Sequence, residues 1–211
     1  MKTWPALLLP LPLALLSACV SVSVGGDVPA QAQYLLRDAA TPAAHRAAPI
    51  VAALLIQAHP ADAAADTVSI TYSLRPNEFA QYQFATWTER PLRQLPRLLQ
   101  QRLEARGVAS AVGLIGEPLR ADWLLSVAID TLHHDVSAPP GQARLALTAE
   151  LFDRRNRMRI ARRQFEASVP TTSATAPAAA AAMSSALTQA FDGLVPWLEA
   201  ELQQAAASAP K

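Results

Sequence analysis

The sequence is poor in the residues that bridge or sharply turn a small fold. Its 211 residues include one cysteine, Cys19, and seven glycines. A single cysteine excludes a framework of internal disulfides, so burial must stabilise the core. No Gly-rich phosphate-binding loop and no Gly-x-Ser-x-Gly segment is present. We therefore predict a protein with no catalytic residues and no cofactor.

The sequence also lacks an excess of charge of either sign. Lys and Arg total 18, Asp and Glu total 17, and removal of Lys2 with a leader peptide would leave the two signs equal. A nucleic-acid-binding domain shows a clear basic excess, so we expect no nucleic-acid partner. Beyond the first eighteen residues, no apolar run is long enough to span a bilayer.

The N-terminus has the pattern of a secretory signal. Lys2 is followed by an apolar run over residues 6–16, and small residues precede Cys19 in Leu16-Ser17-Ala18-Cys19. A leucine three places before a cysteine is typical of a bacterial lipoprotein. An ordinary signal peptide and a short membrane anchor are the alternatives. The run has only about eleven residues, whereas a spanning helix needs about 20.

We therefore predict that residues 1–18 are a lipoprotein signal peptide. Cys19 would carry a diacylglycerol on its sulfur and an acyl chain, such as palmitate, on its amine. More than one chain makes membrane attachment stable. Val20, rather than aspartate, follows the cysteine and favours the periplasmic face of the outer membrane. Residues 19–33, with Gly25-Gly26 and Pro29, form a predicted flexible tether.

The remaining sequence predicts one folded domain over residues 34–206, followed by a disordered tail, 207–211. Alternating or continuous apolar patterns predict strands over 34–36, 50–58, 67–74, 79–87, 123–132, 143–153 and 158–169. The last three form a predicted antiparallel meander.

Two segments have helical spacing. Residues 91–106 carry a leucine stripe and end before Gly107, and Pro96 either kinks this helix or marks its first turn. Residues 177–204 carry a second apolar stripe that should pack on the sheet. The predicted fold class is α/β (α+β), with a mixed, largely antiparallel sheet packed by two main helices.

His133 and His134, between Asp130 and Asp135, are candidate metal ligands by residue type. On a strand, however, the two histidines point to opposite faces. We therefore predict no metal site and interpret these residues as a strand fraying into a loop.

Six arginines crowd the predicted hairpin between the last two strands: Arg154, Arg155, Arg157, Arg159, Arg162 and Arg163. A solvated turn with charged edges that prevent strand pairing is one explanation. The other is a contact with lipid headgroups or an acidic partner, for which Arg154, Arg155 and Arg157 are the candidates.

Several segments, taken in order, resemble the ABC-type transport auxiliary lipoproteins, the family of paraquat-inducible protein C. They are Tyr34-Leu35-Leu36, Ile70-Thr71-Tyr72, Tyr82, Trp87-Thr88-Glu89-Arg90-Pro91, Asp122-Trp123-Leu124-Leu125 and Arg162-Arg163-Gln164-Phe165. The resemblance runs from about residue 33 to about residue 202. One segment departs from the family: residues 59–63 replace a glycine or Tyr-Leu-Asp element.

The resemblance implies an outer-membrane lipoprotein that assists an ABC-type lipid transporter. Its implied partner is a periplasmic mammalian-cell-entry-domain protein, and its implied fold is similar to the TolB N-terminal domain. Residues 75–78 or a free sheet edge could accept the partner, and a homo-oligomeric state is left open. A scaffold lipoprotein of another envelope machine and a tethered hydrolase remain alternatives.

Overall fold

The protein is described from a computed structural model, which covers residues 30–40, 44–61 and 66–208. The predicted signal peptide, Cys19 and most of the predicted tether lie outside these residues. The elements are β1 (Ala32–Tyr34), β2 (Val51–Pro60), β3 (Ser69–Arg75), β4 (Glu78–Trp87), α1 (Pro91–Arg106), β5 (Ala109–Leu114), β6 (Trp123–Asp135), β7 (Gln142–Asp153), β8 (Met158–Pro170) and α2 (Ala176–Ser208).

The strands form one eight-stranded mixed sheet built around β6. One edge of β6 pairs in parallel with β2 as far as Ile129, and then with β3 at His134 and Asp135. Its other edge pairs with β7 along its whole length. From the first edge of β6 the sheet branches, on one side through β3 and β4 to β1 and on the other through β2 to β5. Beyond the second edge of β6 it continues through β7 to β8. The longest ladders, β6–β7 and β7–β8, are antiparallel, which confirms the predicted fold class and meander.

Both helices cover one face of this sheet. From α1, Leu95, Leu99 and Leu103 are buried. From α2, the predicted stripe is buried and joins the same core: Met183, Leu187, Phe191, Leu194, Leu198 and Leu202. In the part of the chain that the structure covers, neither helix combines the length and apolar character needed to cross a membrane.

Proline and glycine fix the ends of α1. Pro91 occupies its first turn, where the missing N–H costs nothing. Pro96 lies inside the helix and is buried, so the alternative that it marks the first turn is wrong. Gly107 ends the helix in the left-handed conformation, with φ of 72°, and donates its N–H to Glu104 and Leu103.

A segment that follows β1 crosses the helix layer, and we call residues 36–40 the strap. Leu36 is buried in the core. The Asp38 carboxylate accepts two hydrogen bonds from Arg102 of α1, at 2.8 and 2.9 Å. It also accepts one from Thr188 of α2 at 3.0 Å, and the Thr188 hydroxyl accepts from the Ala39 N–H at 2.9 Å. The strap therefore ties α1 to α2.

Several elements differ from the prediction. Helix α2 continues to Ser208, so residues 207 and 208 are helical rather than part of a disordered tail. β5 follows α1 directly and was not predicted. The first strand is Ala32–Tyr34 rather than 34–36, and β6 continues three residues further than predicted, to Asp135.

The sheet has two ends that differ in chemistry. At the end where β6 finishes lie the β3–β4 turn and the loop of residues 136–141; we call this the hairpin end. At the end where β6 begins lie the β7–β8 turn, residues 154–157, and the β5–β6 connection; we call this the arginine end. Since β1 runs parallel to β4, the chain joins β1 from the hairpin end, and β8 lies at the opposite edge of the sheet.

Candidate interaction site at the arginine end

Asp153 shapes the turn that presents the arginines. Its carboxylate accepts hydrogen bonds from the backbone N–H groups of Arg155 at 2.9 Å and Asn156 at 3.4 Å, and from the Asn156 side chain at 2.9 Å. This is the way in which an aspartate commonly starts a turn. Arg157 then adopts a left-handed φ of 55° and leads into β8.

Arg154 and Arg155 are partly used to hold this turn in place. Arg154 donates to the carbonyl of Ala121 at 2.8 Å and so fixes the turn to the β5–β6 connection. Arg155 pairs with Asp153 at 3.2 Å, and its guanidinium lies 5.7 Å from the centre of the Trp123 ring. The Arg155 guanidinium, hydrogen-bonded to Asp153, lowers the pKa of that carboxyl. Asp153 therefore stays ionised at neutral pH.

Arg157 and Arg120 are the uncommitted cations of this end. Neither side chain has a hydrogen bond or ion pair to any residue within 30–40, 44–61 and 66–208. Both line a recess of about 630 Å³, whose wall also includes the apolar side chains of Leu124 and Phe152. The two free guanidinium groups can offer paired donors to a carboxylate or phosphate.

The recess has a positive balance of charge. Four arginines line it: Arg120, Arg154, Arg155 and Arg157. Asp122 and Asp153 oppose them, and Arg155 contacts both, at 4.0 and 3.2 Å. The remaining positive charge is therefore available to an anionic group from outside.

The other three arginines of the predicted cluster lie on β8, and each has a structural partner. Arg159 and Arg162 pair with Glu150 at 2.7 and 3.6 Å. The Arg163 guanidinium lies 5.4 Å from the centre of the Phe165 ring. These three side chains match the explanation of charged strand edges, whereas Arg157 fits the contact hypothesis.

Sequence reasoning did not find Arg120 and Asp122 as members of this site. They lie more than thirty residues before the turn and reach it because Arg154 bonds to Ala121 and its N–H donates to the carbonyl of Asp122 at 2.8 Å. Only the antiparallel register of β6 with β7, which pairs Trp123 with Asp153, places them there.

His133 and His134 belong to the hairpin end, and they do not contribute to a common site. His133 packs edge-on against the exposed Phe79, with ring centres 5.2 Å apart. His134, on the opposite face, is fully buried beside the Tyr82 hydroxyl, 2.8 Å from its Nδ1. The predicted opposite faces are confirmed, but the fraying is wrong, because β6 continues through both residues.

His134 is fully hydrogen-bonded. Its Nε2 lies 3.0 Å from the Thr171 hydroxyl and 3.2 Å from the Pro140 carbonyl, and Thr171 itself donates to Pro140 at 2.7 Å. A neutral ring with a proton on Nε2 satisfies all of these contacts. Burial lowers the pKa of His134. The side chain is therefore a structural group of the core.

The structure thus combines an α/β domain with a candidate site for an anionic group at the arginine end. The sequence pattern of one family, described as the ABC-type transport auxiliary lipoprotein component, matches residues 34–194. The match covers more than half of the chain, and the protein belongs to this family.

Two solved structures are similar over most of the chain. Protein XCC0632 from Xanthomonas campestris, of the DUF330 family, is 26% identical with a TM-score of 0.73; the match covers 83% of this chain and 99% of that one. A second, uncharacterized protein is 12% identical with a TM-score of 0.62, and the match covers 80% and 99%. The second likeness concerns the fold alone. No curated protein matches the chain.

Proposed function

We propose that this protein is a non-catalytic subunit of an ABC-type lipid transport system, held by a lipid on Cys19 at the periplasmic face of the outer membrane. Its partner would be a mammalian-cell-entry-domain protein that crosses the periplasm. The family match supports the link to transport. The Leu16-Ser17-Ala18-Cys19 motif and Val20 support the anchor and its membrane.

The observation that carries the docking role is the position of the arginine end. The chain joins β1 from the hairpin end, at one edge of the sheet. The β7–β8 turn lies at the other end and the other edge. The thirteen residues of β6 separate the two ends by about 40 Å. The uncommitted Arg157 and Arg120 therefore face away from the anchor and towards the periplasm.

An acidic surface of the partner fits this end better than the headgroups of the anchoring bilayer. From Ala30, eleven residues lead back to Cys19 and span at most about 36 to 40 Å when fully extended. Reaching the bilayer with Arg157 would require the tether to reverse and to run back along most of the length of the sheet, which would use most of its reach. A carboxylate on a partner can approach Arg157 and Arg120 from the open side.

Crosslinking in intact envelopes tests this proposal. A photoreactive amino acid in place of Arg157 should form an adduct with a mammalian-cell-entry-domain protein, identified by mass spectrometry. The same amino acid in place of Arg93 is the control, because Arg93 is exposed on α1 and has no described side-chain partner. An adduct at position 157 with a component of another envelope machine would instead make the protein a scaffold of that machine.

Charge reversal gives a second test. Arg120→Glu with Arg157→Glu should reduce recovery of the partner in mild detergent several-fold, whereas Arg93→Glu should not. Added salt should weaken recovery with the unmodified protein, since exposed charges are screened. Recovery that is unchanged by the double variant would exclude the arginine end as the docking surface.

A further inference from the structure

The hairpin end exposes apolar side chains on the side of the domain from which the chain enters the fold. Leu74 is 50% exposed and Phe79 is 60% exposed. They flank the β3–β4 turn, in which Asn77 adopts a left-handed φ of 64°. Asparagine tolerates this conformation. Only two residues separate β3 from β4, so the turn is tight and both apolar side chains lie near it. We call residues 74–79 the tip.

The charges of the hairpin end are paired with one another. Arg75 lies 3.7 Å from Glu78, and Arg144 lies 2.7 Å from Asp135. The loop between β6 and β7 adds exposed Ala138, and exposed prolines at positions 139 and 140. This end is thus neutral and apolar, in contrast with the arginine end. A surface of this kind can approach a bilayer without bringing unpaired charge to it.

The geometry of the tether brings the bilayer to the tip. Ala32 pairs with Ala85, seven residues along β4 from Glu78, and β4 bulges against β3 within this stretch. The tip therefore lies at most about 23 Å beyond the start of β1. The chain runs towards β1 from that same direction and on the neighbouring strand. The tether from Cys19 can cover this distance within its reach of about 36 to 40 Å. The bilayer and the tip therefore meet without any reversal of the chain.

We propose that the tip is a second membrane contact, in which Leu74 and Phe79 enter the headgroup region of the bilayer that holds the lipid on Cys19. This inference rests on the proposed anchor. Leucine and phenylalanine are the side chains that interfacial segments bury. The contact fixes the orientation of the domain and directs the arginine end away from the membrane.

The test uses the full lipidated protein in vesicles of phosphatidylethanolamine and phosphatidylglycerol. Pro76→Cys, at the exposed turn, carries an environment-sensitive fluorophore; the sulfur of Cys19 is blocked by its lipid. Met158→Cys is the matched control, because Met158 is 60% exposed, as Phe79 of the tip is, and lies at the arginine end. We expect a nitroxide on the lipid headgroup or the upper acyl chain to quench the label at position 76 and to leave the label at position 158 unquenched.

A further variant isolates the apolar side chains. Leu74→Ser with Phe79→Ser, in the Pro76→Cys background, should abolish the quenching while the protein still floats with the vesicles. Equal quenching at positions 76 and 158, or quenching that survives the double variant, would overturn the second contact and leave the anchor intact. A protein that does not float with the vesicles would overturn both the anchor and this contact.

Discussion

At the scale of single residues, His134 shows how a polar group becomes part of the core. Its ring joins β4 through Tyr82, the loop after β6 through Pro140, and the segment before α2 through Thr171. Each ring nitrogen has a partner, so burial leaves no unsatisfied group. The cluster therefore connects three parts of the hairpin end.

The lowered pKa of His134 predicts a loss of stability in acid. Burial favours the neutral ring in the folded state, whereas the unfolded chain binds a proton near its ordinary pKa. The contribution of His134 to the free energy of unfolding is therefore fully present above about pH 6.5. It falls as the pH drops below that value. His133, whose pKa is also lowered by burial, contributes in the same direction. Urea unfolding of the mature domain between about pH 8 and pH 5 should show this loss.

Replacing the ring separates its two effects. His134→Gln should cost about 1 to 3 kcal/mol near pH 8, because Tyr82 and Thr171 lose their partner. The difference from the unmodified protein should shrink towards pH 5, since the variant has no ring to protonate. A difference that stays constant with pH would contradict the proposed role of the neutral imidazole. Asp135 does not confuse the comparison, because the hydrogen bond from Ser137 lowers the pKa of that carboxyl, and its contribution is lost only in stronger acid.

Gly141 lies against the same histidine and offers a matched pair of substitutions. A Cβ at Gly141 would lie 2.5 Å from the Asp135 carbonyl oxygen and 2.6 Å from His134 Nε2, whereas one at Gly116 would meet nothing within 4 Å. Both glycines have a φ of 95°, so each alanine variant should pay about 1 to 3 kcal/mol for its backbone. Gly141→Ala should lose clearly more unfolding free energy than Gly116→Ala. Equal losses would show that the close approach to His134 does not matter.

The sequence predicted which faces of β6 the two histidines occupy, but it did not predict their surroundings. Alternation correctly placed His133 and His134 on opposite faces. It could not show that one would be buried, because β6 shifts its register between Ile129 and Thr131. The shift moves the inward positions by one residue, and no local pattern marks it.

At the scale of elements, the strap is the part that most clearly depends on long-range contacts. The Asp38 and Arg102 side chains are 10% and 11% exposed, so their ion pair is largely shielded from water. Asp192 adds a further contact to Arg102 at 2.8 Å, from the exposed side. A segment for which the sequence predicted no role beyond a strand at 34–36 thus locks two helices together.

Breaking this pair should be costly. Asp38→Asn removes one charge opposite Arg102, which keeps Asp192 as a partner, and we expect a loss of about 1.5 to 3 kcal/mol in unfolding free energy. Glu89→Gln is the control, because its pair with Arg97 is considerably more exposed, and it should cost at most about 1 kcal/mol. Urea unfolding of both variants checks the difference. Similar losses would mean that the strap contributes no more than a surface contact.

The elements that the sequence did not predict have weak local signals. β5 consists of Ala-Ser-Ala-Val-Gly-Leu, and alanine and glycine are depleted in strands. It forms because β2 offers a parallel partner from Val51 onwards. By contrast, the long periodic stripe of α2 was sufficient to predict that helix, and the alternation in β7 was sufficient for that strand.

At the scale of the whole molecule, the sheet separates two kinds of surface. The neutral tip lies on the side from which the chain enters β1, and the uncommitted arginines lie at the opposite corner. The turn arginines were predicted from the sequence as a contact candidate. Arg120 and the recess were not, because only the pairing of β6 with β7 brings them together. The homo-oligomeric state and the likeness to the TolB N-terminal domain stay predictions.

The short parallel strand β1 has a mechanical consequence for a tethered domain. A pull from the membrane would act along β1, in line with its three paired residues, and would shear their hydrogen bonds against β4 simultaneously rather than peel them one by one. Behind β1, the tension would next meet the Asp38–Arg102 pair, which is fastened to both helices. A pull on the tether would thus act on β1 first and on the helix layer second, before it reached the other strands of the sheet.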